Sequence, residues 1–403
     1  MVATTARQGA MTAREIDRLR AETLGCAEVL HFNYAGDSLS PRRVLDTVIR
    51  HLEREALIGG YEAEDEAAER IDGIYHSAAR LINAAPAEIA IVENATRAWD
   101  MAFYSIPFAA GDRILTSVAE YASNVIAFLQ MAERGVSIEV IPNDESGQLS
   151  VAALGAMLDD RVRLVAVSHM PTNGGLVQPV EEIGKLLRGS HVLFLLDACQ
   201  TTGQLPLDVE TIGCHFLSAT SRKYLRGPRG VGFLYVSHTV SDQLTPPFLD
   251  MRAATWTGAD RFEIQSGARR FENWESNVAG KLGLGTAIDY ALAIGLDRIE
   301  QRVQRQAERL RQRLNTVSGA EVCDQGCRQG GIVTFRAAGL SGTEIKSALA
   351  ARRINVSLST VTSTRFDMEA RGLDEVVRAS VHYLTTDDEI ETLARTLERA
   401  IVA

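Results

Sequence analysis

An acidic and a basic residue each follow a buried apolar run of the sequence. Asp197 ends the run HVLFLLDA (191–198), and Lys223 comes just after the run CHFLSAT (214–220). Ligands of open α/β sheets bind beyond the carboxyl ends of the strands, so both residues are expected at one pocket. A lysine amine can form a Schiff base with pyridoxal 5′-phosphate (PLP), while a carboxylate keeps the pyridine nitrogen protonated. The alternative is a helix-capping aspartate and a solvated loop lysine.

Polar groups also follow three other apolar runs. Asn94 and Thr96 lie at and just beyond the end of the apolar run 88–94, where the sequence predicts the start of a helix. Backbone N–H groups and the helix dipole at such a start can bind a phosphate. Tyr121 follows the apolar run 112–118 and could stack on a pyridine ring. The apolar run 161–170 ends in hydrogen-bonding side chains next to a pair of glycines. These residues are Asn94, Thr96, Tyr121, His169, Thr172 and Asn173. Each has an ordinary structural alternative, an N-cap or a packed aromatic, but their conjunction favours a cofactor site.

Seven short apolar runs alternate with amphipathic stretches and predict the sheet that positions these residues. They are 88–94, 112–118, 137–142, 161–170, 191–198, 214–220 and 230–236. Strands that are apolar on both faces and separated by helices indicate a mostly parallel sheet covered on both sides. The loop between the last two is too short for a crossover helix, which predicts one antiparallel strand.

The sequence pattern divides the chain into three parts. Residues 46–280 form the large domain, and residues 281–403 form a linking helix, broken near Gly295, followed by a small α+β domain. Residues 1–45 are too short for a domain and are expected to be an arm that packs on the small domain. The first 20 residues read as a short tail entering a helix, without the apolar core of a signal peptide.

Composition narrows the functional classes. The 403 residues carry a net charge of −10, with 46% hydrophobic and 23% charged residues. This acidic balance disfavours a nucleic-acid or anionic-membrane surface, and no apolar stretch is long enough for a membrane helix. Five scattered cysteines indicate reduced thiols and a cytoplasmic location, and no metal-ligand spacing accompanies them.

The segment LLDACQTTGQLPLDVETIGCHFLSATSRKYLRGPRGVGFLYV resembles the cofactor-lysine signature of class V aminotransferase-like enzymes, a fold-type I PLP group that includes cysteine desulfurases. The resemblance implies an aspartate aminotransferase-like α/β fold and runs over most of the chain. It implies that Lys223 is the Schiff-base lysine and that Asp197 pairs with the pyridine nitrogen. Further cofactor contacts are implied for Ala95, Thr96, Tyr121, Asn173, Gln200, Thr220 and Arg222, with Tyr121 stacked on the ring and His169 as an alternative to Asn173.

The same resemblance implies a substrate clamp and a dimer. Arg378, in VRASVHYLTT, resembles the arginine that grips a substrate α-carboxylate with two prongs. The stretch RRFENWESNVAG (269–280) resembles the segment that reaches a neighbouring subunit's cofactor, so a homodimer with shared sites is implied. The family's Gly-Thr is Trp274-Glu275 here, which leaves open the subunit that supplies the phosphate contact near Glu275-Ser276.

The loop SLSTVTSTRFDMEARGLDEVV (357–377) lacks the nucleophilic cysteine that desulfurases carry between these strands, which predicts that the chain is not a cysteine desulfurase. Cys323 and Cys327 lie in another segment. The predicted reaction is C–S β-elimination on a cysteine S-conjugate or its sulfoxide, releasing thiol, pyruvate and ammonia in natural-product or thiol biosynthesis. The alternatives are an aminotransferase, an epimerase or a decarboxylating deaminase of an amino-acid-bearing natural-product intermediate, or a regulator that has lost its chemistry.

The stretch GGYEA narrows the resemblance further. Together with TNGGLVQP it resembles a subgroup of ergothioneine-pathway C–S lyases, isopenicillin N epimerases and enzymes that process cysteine S-conjugates of antibiotics. Tyr61 would then lie near the substrate. A helix-terminating Gly-Gly turn beside a packed tyrosine is the alternative.

Overall fold

The helices and strands of the computed structural model are described here for residues 9–402. The first eight residues of the predicted arm therefore lie outside the described part of the chain. The helices are α1 Ala13–Ala21, α2 Arg42–Ile58, α3 Gly60–Glu66, α4 Ala68–Ile82, α5 Ala95–Phe103, α6 Ala122–Ala132, α7 Val151–Met157, α8 Val180–Leu187, α9 Val209–Ile212, α10 His238–Ser241, α11 Val278–Ile294, α12 Leu296–Asn315, α13 Gly342–Ala350, α14 Arg365–Ala370 and α15 Asp387–Val402.

The strands form one large sheet and several smaller ones. They are β1 Leu30–His31, β2 Ile89–Val92, β3 Arg113–Ser117, β4 Ser137–Ile141, β5 Val162–Ser168, β6 Leu193–Asp197, β7 Phe216–Thr220, β8 Gly232–Val236, β9 Ala254–Gly258, β10 Arg261–Ile264, β11 Ala320–Val322, β12 Ile332–Ala337, β13 Ile354–Asn355, β14 Ser357–Thr360 and β15 Glu375–Ser380.

The large sheet has seven strands in the order β2-β8-β7-β6-β5-β3-β4. Its β3, β4, β5, β6 and β7 pair in parallel, whereas β8 runs antiparallel to both β2 and β7. This confirms the predicted fold class, with one antiparallel strand among the last two. Successive residues of a strand face opposite cores: Val165 packs in one cluster, and Leu164 packs in the other. The sheet is therefore covered on both faces, as runs apolar on both sides require.

A second sheet lies in the C-terminal part of the chain. Its four antiparallel strands follow the order β11-β12-β15-β14, and β15 carries Arg378. The long helical pattern before it is broken at Gly295, whose φ of 95° separates α11 from α12. Such a positive φ favours glycine because it has no Cβ.

The N-terminal segment contacts this C-terminal part. Leu30 of β1 pairs with Ile354 of β13 in parallel register, and Asn33 forms a β-bridge with Ser380. The division at residues 45/46 and 280/281 stays a prediction, because pairing alone does not fix a domain boundary.

The segment 357–377, expected as a loop, is largely folded. It forms β14, a 3₁₀ turn and α14 before β15 begins. Within residues 9–402 no helix has the length and apolar character needed to cross a membrane.

Candidate active site

A cavity of about 440 Å³ lies beyond the carboxyl ends of the parallel strands. It brings together Lys223 and Asp197, which the sequence predicted to share a pocket. Its lining residues are Asn94, Ala95, Thr96, Tyr121, Asn124, Ser168, Met170, Thr172, Asp197, Cys199, Gln200, Thr220, Arg222, Lys223 and Gly230. Eight of the nine predicted cofactor residues therefore meet in one place, and Asn173 is the exception.

Asp197 is held at the end of β6 by two donors. Its Oδ1 accepts the backbone N–H of Cys199 at 2.9 Å, and its Oδ2 accepts Nδ2 of Asn124 at 3.2 Å. The side chain is buried, so these bonds keep the carboxylate in one orientation. A fixed, buried carboxylate beside a cavity suits recognition of a protonated ring nitrogen.

Lys223 lies three residues after the end of β7 and lines the same cavity. Burial lowers the pKa of its ammonium, Arg222 acts in the same direction, and Cys199 and Asp197 oppose them. A lowered pKa makes more of the neutral, nucleophilic amine available. The backbone next to Lys223 packs closely against the backbone at Gly203, and this contact positions Lys223. A Cβ on Gly203 would lie only 2.7 Å from the carbonyl carbon of Tyr224. Gly203 has a φ of +91° and thus suits the contact twice over.

One end of the cavity is built to receive an anion. Helix α5 begins there at Ala95, with Asn94 as its N-cap accepting the N–H of Arg97 at 2.9 Å. Gly232 of β8 lets the strand approach this helix start, because its Cβ would lie 3.2 Å from the carbonyl carbon of Asn94. Free N–H groups at a helix start, with Arg222 on the same cavity wall, form a suitable phosphate cradle.

Gln200 supplies an unpaired polar atom to the cavity wall. Its Nε2 donates to the carbonyl oxygen of Ala35 at 3.2 Å, while its buried Oε1 has no partner among the described residues. An orphaned buried acceptor is costly unless a ligand completes it. The Lys223 amine, the fixed carboxylate of Asp197, the anion cradle and this acceptor suit the aldehyde, ring nitrogen, phosphate and hydroxyl of PLP, respectively.

A second buried carboxylate, missed in the sequence, lies behind Asp197. Glu120 accepts the hydroxyl of Ser168 at 2.5 Å and Nδ2 of Asn124 at 2.8 Å. Burial raises the pKa of Glu120, and these hydrogen bonds oppose that rise. Asn124 therefore joins the two acids through one amide. The signal was present in VAEYASN, where Glu120 and Asn124 are four residues apart around Tyr121.

Tyr121 lines the cavity at the start of α6 and is 38% exposed. Its backbone N–H donates to Oε1 of Glu120 at 2.9 Å, which fixes the point where the helix starts. The ring is thus available to a ligand in the cavity.

Asn173 does not line the cavity as predicted. Its Nδ2 donates to Oδ2 of Asp367 at 2.6 Å, so the side chain turns toward α14. The alternative His169 is also displaced: its Nδ1 contacts the hydroxyl of Thr201 at 3.1 Å, and burial lowers its pKa to about 3. The wall position belongs to Thr172 instead. Which side chain of a turn faces the cavity depends on the backbone conformation of the turn. The sequence does not determine that conformation here, because Gly174 and Gly175 can adopt many.

Arg378 does not line the cavity itself but lies behind Thr172, which does. Its Nη1 donates to both the carbonyl and the hydroxyl oxygen of Thr172, at 3.0 and 2.6 Å, and its Nη2 reaches Oδ1 of Asn33 at 3.4 Å. Its Nε has no partner among residues 9–402. Burial lowers the pKa of Arg378 to about 10, so it is cationic at neutral pH.

Tyr61 is not brought to this cavity. It lies on α3, is 72% exposed, and lines another cavity of about 460 Å³ together with Trp274 and Glu275. The Gly-Gly turn before it ends α2, and Gly59 has a φ of +103°. The Gly-Gly turn therefore terminates helix α2, as the structural alternative given for this stretch predicted.

Two cysteines lie closer to the site than the sequence suggested. Cys199 lines the cavity, although burial raises the pKa of its thiol. Cys323 is buried against Met368, Leu373 and Val376, and so packs under the segment 357–377. Tertiary packing brings together segments that are remote along the chain.

The chain matches known proteins over most of its length. The model of the family described as aminotransferase class-V matches residues 30–393. A probable cysteine desulfurase of Methanothermobacter thermautotrophicus is 29% identical over 343 residues, 84% of this chain and 86% of the relative. Among solved structures, the apo cysteine desulfurase of Thermococcus onnurineus NA1 has a TM-score of 0.89 at 24% identity and covers 98% of this chain and 100% of its own.

A second solved structure is a complex of the cystine C–S lyase C-DES with its reaction product, cysteine persulfide. It has a TM-score of 0.84 at 25% identity, and covers 93% of this chain and 99% of its own.

These relatives overturn the predicted reaction. The exclusion of a cysteine desulfurase is wrong, and with it the assignment as a β-lyase of cysteine S-conjugates, because matched relatives carry the desulfurase name. The prediction treated a cysteine in 357–377 as indispensable, although a sulfur acceptor need not belong to that segment. The fold, the cofactor and the enzyme class were right at the coarser level: the chain is a PLP-dependent α/β enzyme of fold type I. The chain belongs to the aminotransferase class-V family and binds pyridoxal 5′-phosphate.

Proposed function

We propose that this chain removes sulfur from L-cysteine, the activity named for its desulfurase relatives. The proposal is carried by one observation: a half-buried lysine and a fixed buried carboxylate, Lys223 and Asp197, share the cavity at the carboxyl edge of the sheet. The names of the relatives supply the substrate class.

Each residue of the cavity has a proposed role. When bound, PLP supplies an electron sink that stabilises negative charge at the substrate Cα. Lys223 holds the cofactor aldehyde covalently between turnovers and moves the proton at Cα, and Asp197 keeps the proton on the ring nitrogen. The phosphate is bound by groups at the start of α5 and after β7: Ala95, Thr96, Thr220 and Arg222. Gln200 bonds the ring hydroxyl, and Tyr121 covers the ring.

Arg378 is the proposed clamp for the substrate carboxylate. Its free Nε and its Nη2, which contacts Oδ1 of Asn33 at 3.4 Å, lie along one edge of the guanidinium, where two parallel bonds to a carboxylate are possible. The carboxylate would replace Asn33 as the acceptor at Nη2, while Thr172 keeps its bonds to Nη1. Asn173 is left with the task of holding α14 through Asp367.

The proposed sulfur acceptor is a thiol from solution. Segment 357–377 has no cysteine, Cys323 is buried in a hydrophobic cluster, and burial raises the pKa of the Cys199 thiol. A poorly ionised thiol is a weak nucleophile. The balanced reaction is L-cysteine plus RSH giving L-alanine plus RSSH. The Cβ–S bond breaks and an S–S bond forms. The proton removed from Cα is returned to Cα, and the proton lost by the thiol RSH balances the one gained at Cβ.

Two finer assignments stay predictions. A homodimer with shared sites would place segment 269–280 at the neighbouring subunit, where Trp274 and Glu275 replace the family's Gly-Thr. The subgroup of ergothioneine-pathway lyases and isopenicillin N epimerases rests on the stretches GGYEA and TNGGLVQP, and Tyr61 of the first stretch lies outside the cofactor cavity of its own chain.

The test is product analysis of the PLP-loaded enzyme with L-cysteine and dithiothreitol. We expect L-alanine and sulfide in equal amounts, with alanine lost in K223A and retained in C199A. Pyruvate and ammonia without alanine would contradict the proposal, because the Cα proton would then not be returned. Loss of alanine in C199A alone would reject the solution thiol as acceptor and assign that role to Cys199.

A further inference from the structure

Two buried acids, Asp197 and Glu120, lie next to each other at the cofactor cavity. Asp197 is 8% exposed and lines the cavity, whereas Glu120, between β3 and α6, is 1% exposed and does not line it. Within residues 9–402 neither acid forms an ion pair, although Lys223 and Arg222 line the same cavity. Burying a carboxylate without a partner is costly, so both acids need groups that stabilise their negative charge.

The hydrogen bonds to Glu120 favour its charged form. Its Oε1 accepts the N–H of Tyr121 at 2.9 Å, Nδ2 of Asn124 at 2.8 Å and the hydroxyl of Ser168 at 2.5 Å. Its Oε2 accepts the N–H of Ser168 at 2.9 Å. Three of these donors are N–H groups, which cannot accept a hydrogen bond from a neutral carboxyl group. Bonds of this kind favour the ionised carboxylate and oppose the effect of burial.

Asn124 keeps the two carboxylates at short range. Its Nδ2 carries two hydrogens and donates to Oε1 of Glu120 at 2.8 Å and to Oδ2 of Asp197 at 3.2 Å. The two carboxylate oxygens are therefore no more than about 6 Å apart, a range in which charges shift each other's ionisation. Two like charges this close destabilise each other, and a cation beside either acid relieves both. Asp197 borders the cavity, so the cation is expected there.

We propose that Glu120 is a positioning residue for the ring nitrogen of the cofactor. Acting through Asn124, it fixes Asp197 and adds a second negative charge that keeps the ring nitrogen protonated. Glu120 does this without touching the cofactor, because it does not line the cavity. The inference rests on the proposed role of Asp197 but does not require L-cysteine as the substrate.

The test compares the affinities of the cofactor-free chain for PLP and for 1-deaza-PLP, whose ring has carbon in place of the nitrogen and cannot be protonated there. E120Q removes the charge and keeps the shape of the side chain, whereas E120D keeps the charge. E133Q is the control, because Glu133 is an exposed glutamate at the end of α6. We expect E120Q to weaken PLP by about 10-fold and to leave 1-deaza-PLP unchanged, the effect of losing one nearby charge. E120D and E133Q should keep the wild-type ratio of the two affinities.

Equal losses of affinity for PLP and 1-deaza-PLP in E120Q would overturn the proposal, because Glu120 would then act on the fold alone. Unchanged affinities for both would overturn it as well. A second measurement needs only the wild type: the ¹⁵N chemical shift of ring-labelled PLP should be that of a protonated pyridine under mildly alkaline conditions, and loss of the proton there would contradict the proposal.

Two further measurements separate this inference from the proposals on which it rests. D197N should lose the preference for PLP over 1-deaza-PLP, and a wild-type ratio in D197N would refute the role of Asp197 itself. Alanine formation from L-cysteine is measured independently of both affinities. Failure of the role of Glu120 is therefore distinguishable from failure of the proposed function.

Discussion

At the scale of single residues, the site depends on how tightly Asp197 is held. Its two donors come from different directions, the chain just after it and helix α6. Asn124 has the larger role, because it also binds Glu120 and so joins the two buried acids. The proposed contact between Asp197 and the cofactor's ring nitrogen would therefore be oriented by Asn124, a residue that need not touch the cofactor.

Replacing Asn124 with leucine should weaken PLP binding. The substitution removes one donor from Asp197 and one from Glu120, and a hydrogen bond to a charged group contributes about 1.5–3 kcal/mol. We expect a loss of affinity of roughly 10- to 100-fold, measured by titrating the visible absorbance of the bound cofactor. Q130L changes an exposed residue of the same helix and should be neutral. Equal affinities for N124L and Q130L would show that the Asn124 bond is dispensable.

The lowered pKa of Lys223 predicts a pH dependence of stability in the cofactor-free chain. Its native pKa is lowered, so the native state binds fewer protons than the unfolded state between that pKa and the ordinary value of 10.5. Stability should therefore rise with pH through that window and lose this contribution as the pH falls. Urea unfolding at several pH values measures the slope, which K223M should flatten and K185M should leave unchanged. An identical slope in K223M would refute the assignment.

At the scale of elements, the segment before Arg378 is tied to the large sheet. Asp367 of α14 accepts Asn173 at 2.6 Å and Arg371 at 3.1 Å, and Arg371 also donates to the carbonyl oxygen of Cys323. These contacts join α14 and the residue after it, Arg371, to the turn after β5 and to the residue that follows β11. The segment before Arg378 is therefore anchored beside the turn that carries Thr172.

Substituting alanine for Asp367 should destabilise the chain. It leaves a buried amide and a guanidinium without their acceptor, and breaking one partner of a buried pair costs about 3 kcal/mol or more. Denaturant unfolding measures the loss, and hydrogen exchange should rise in 361–376. The control is E369A, which breaks the exposed Arg365–Glu369 pair on the same helix and should cost no more than about 1 kcal/mol. Equal effects of the two variants would contradict the anchoring role.

The elements could be predicted from the sequence because each buried strand is a continuous apolar run, such as 191–198. Asp197 and Lys223 followed from that prediction, since strand ends of one sheet meet at one edge. Asn173, Arg378 and Tyr61 could not be placed, because their positions depend on turn backbones and on packing between distant segments. Glu120 was missed because a buried acid is recognisable only by its partners, Ser168 and Asn124.

At the scale of the whole molecule, exposed aromatic residues favour a second copy of the chain. Trp256 and Phe262 pair across the β9–β10 hairpin and are 79% and 57% exposed, and Trp274 is 54% exposed. Large exposed apolar side chains gain free energy when an interface buries them, about 25 cal/mol per Å². This agrees with the implied dimer.

The expected mass in solution is twice 43.9 kDa. Sedimentation equilibrium of the wild type and of the double substitution W256S/F262S measures it. The double variant should dissociate at concentrations where the wild type is dimeric, because it removes two large exposed aromatic side chains. L186S, at a partly exposed leucine of α8, is the control and should stay dimeric. A monomeric wild type would refute the shared-site arrangement.

The account as a whole depends on the attachment of PLP to Lys223. Borohydride reduction of the PLP-loaded enzyme, followed by proteolysis and mass spectrometry, identifies the lysine that carries the cofactor. We expect the reduced cofactor on the peptide containing Lys223 and on no other of the four lysines. A label on Lys281, or no stable label at all, would contradict the central claim.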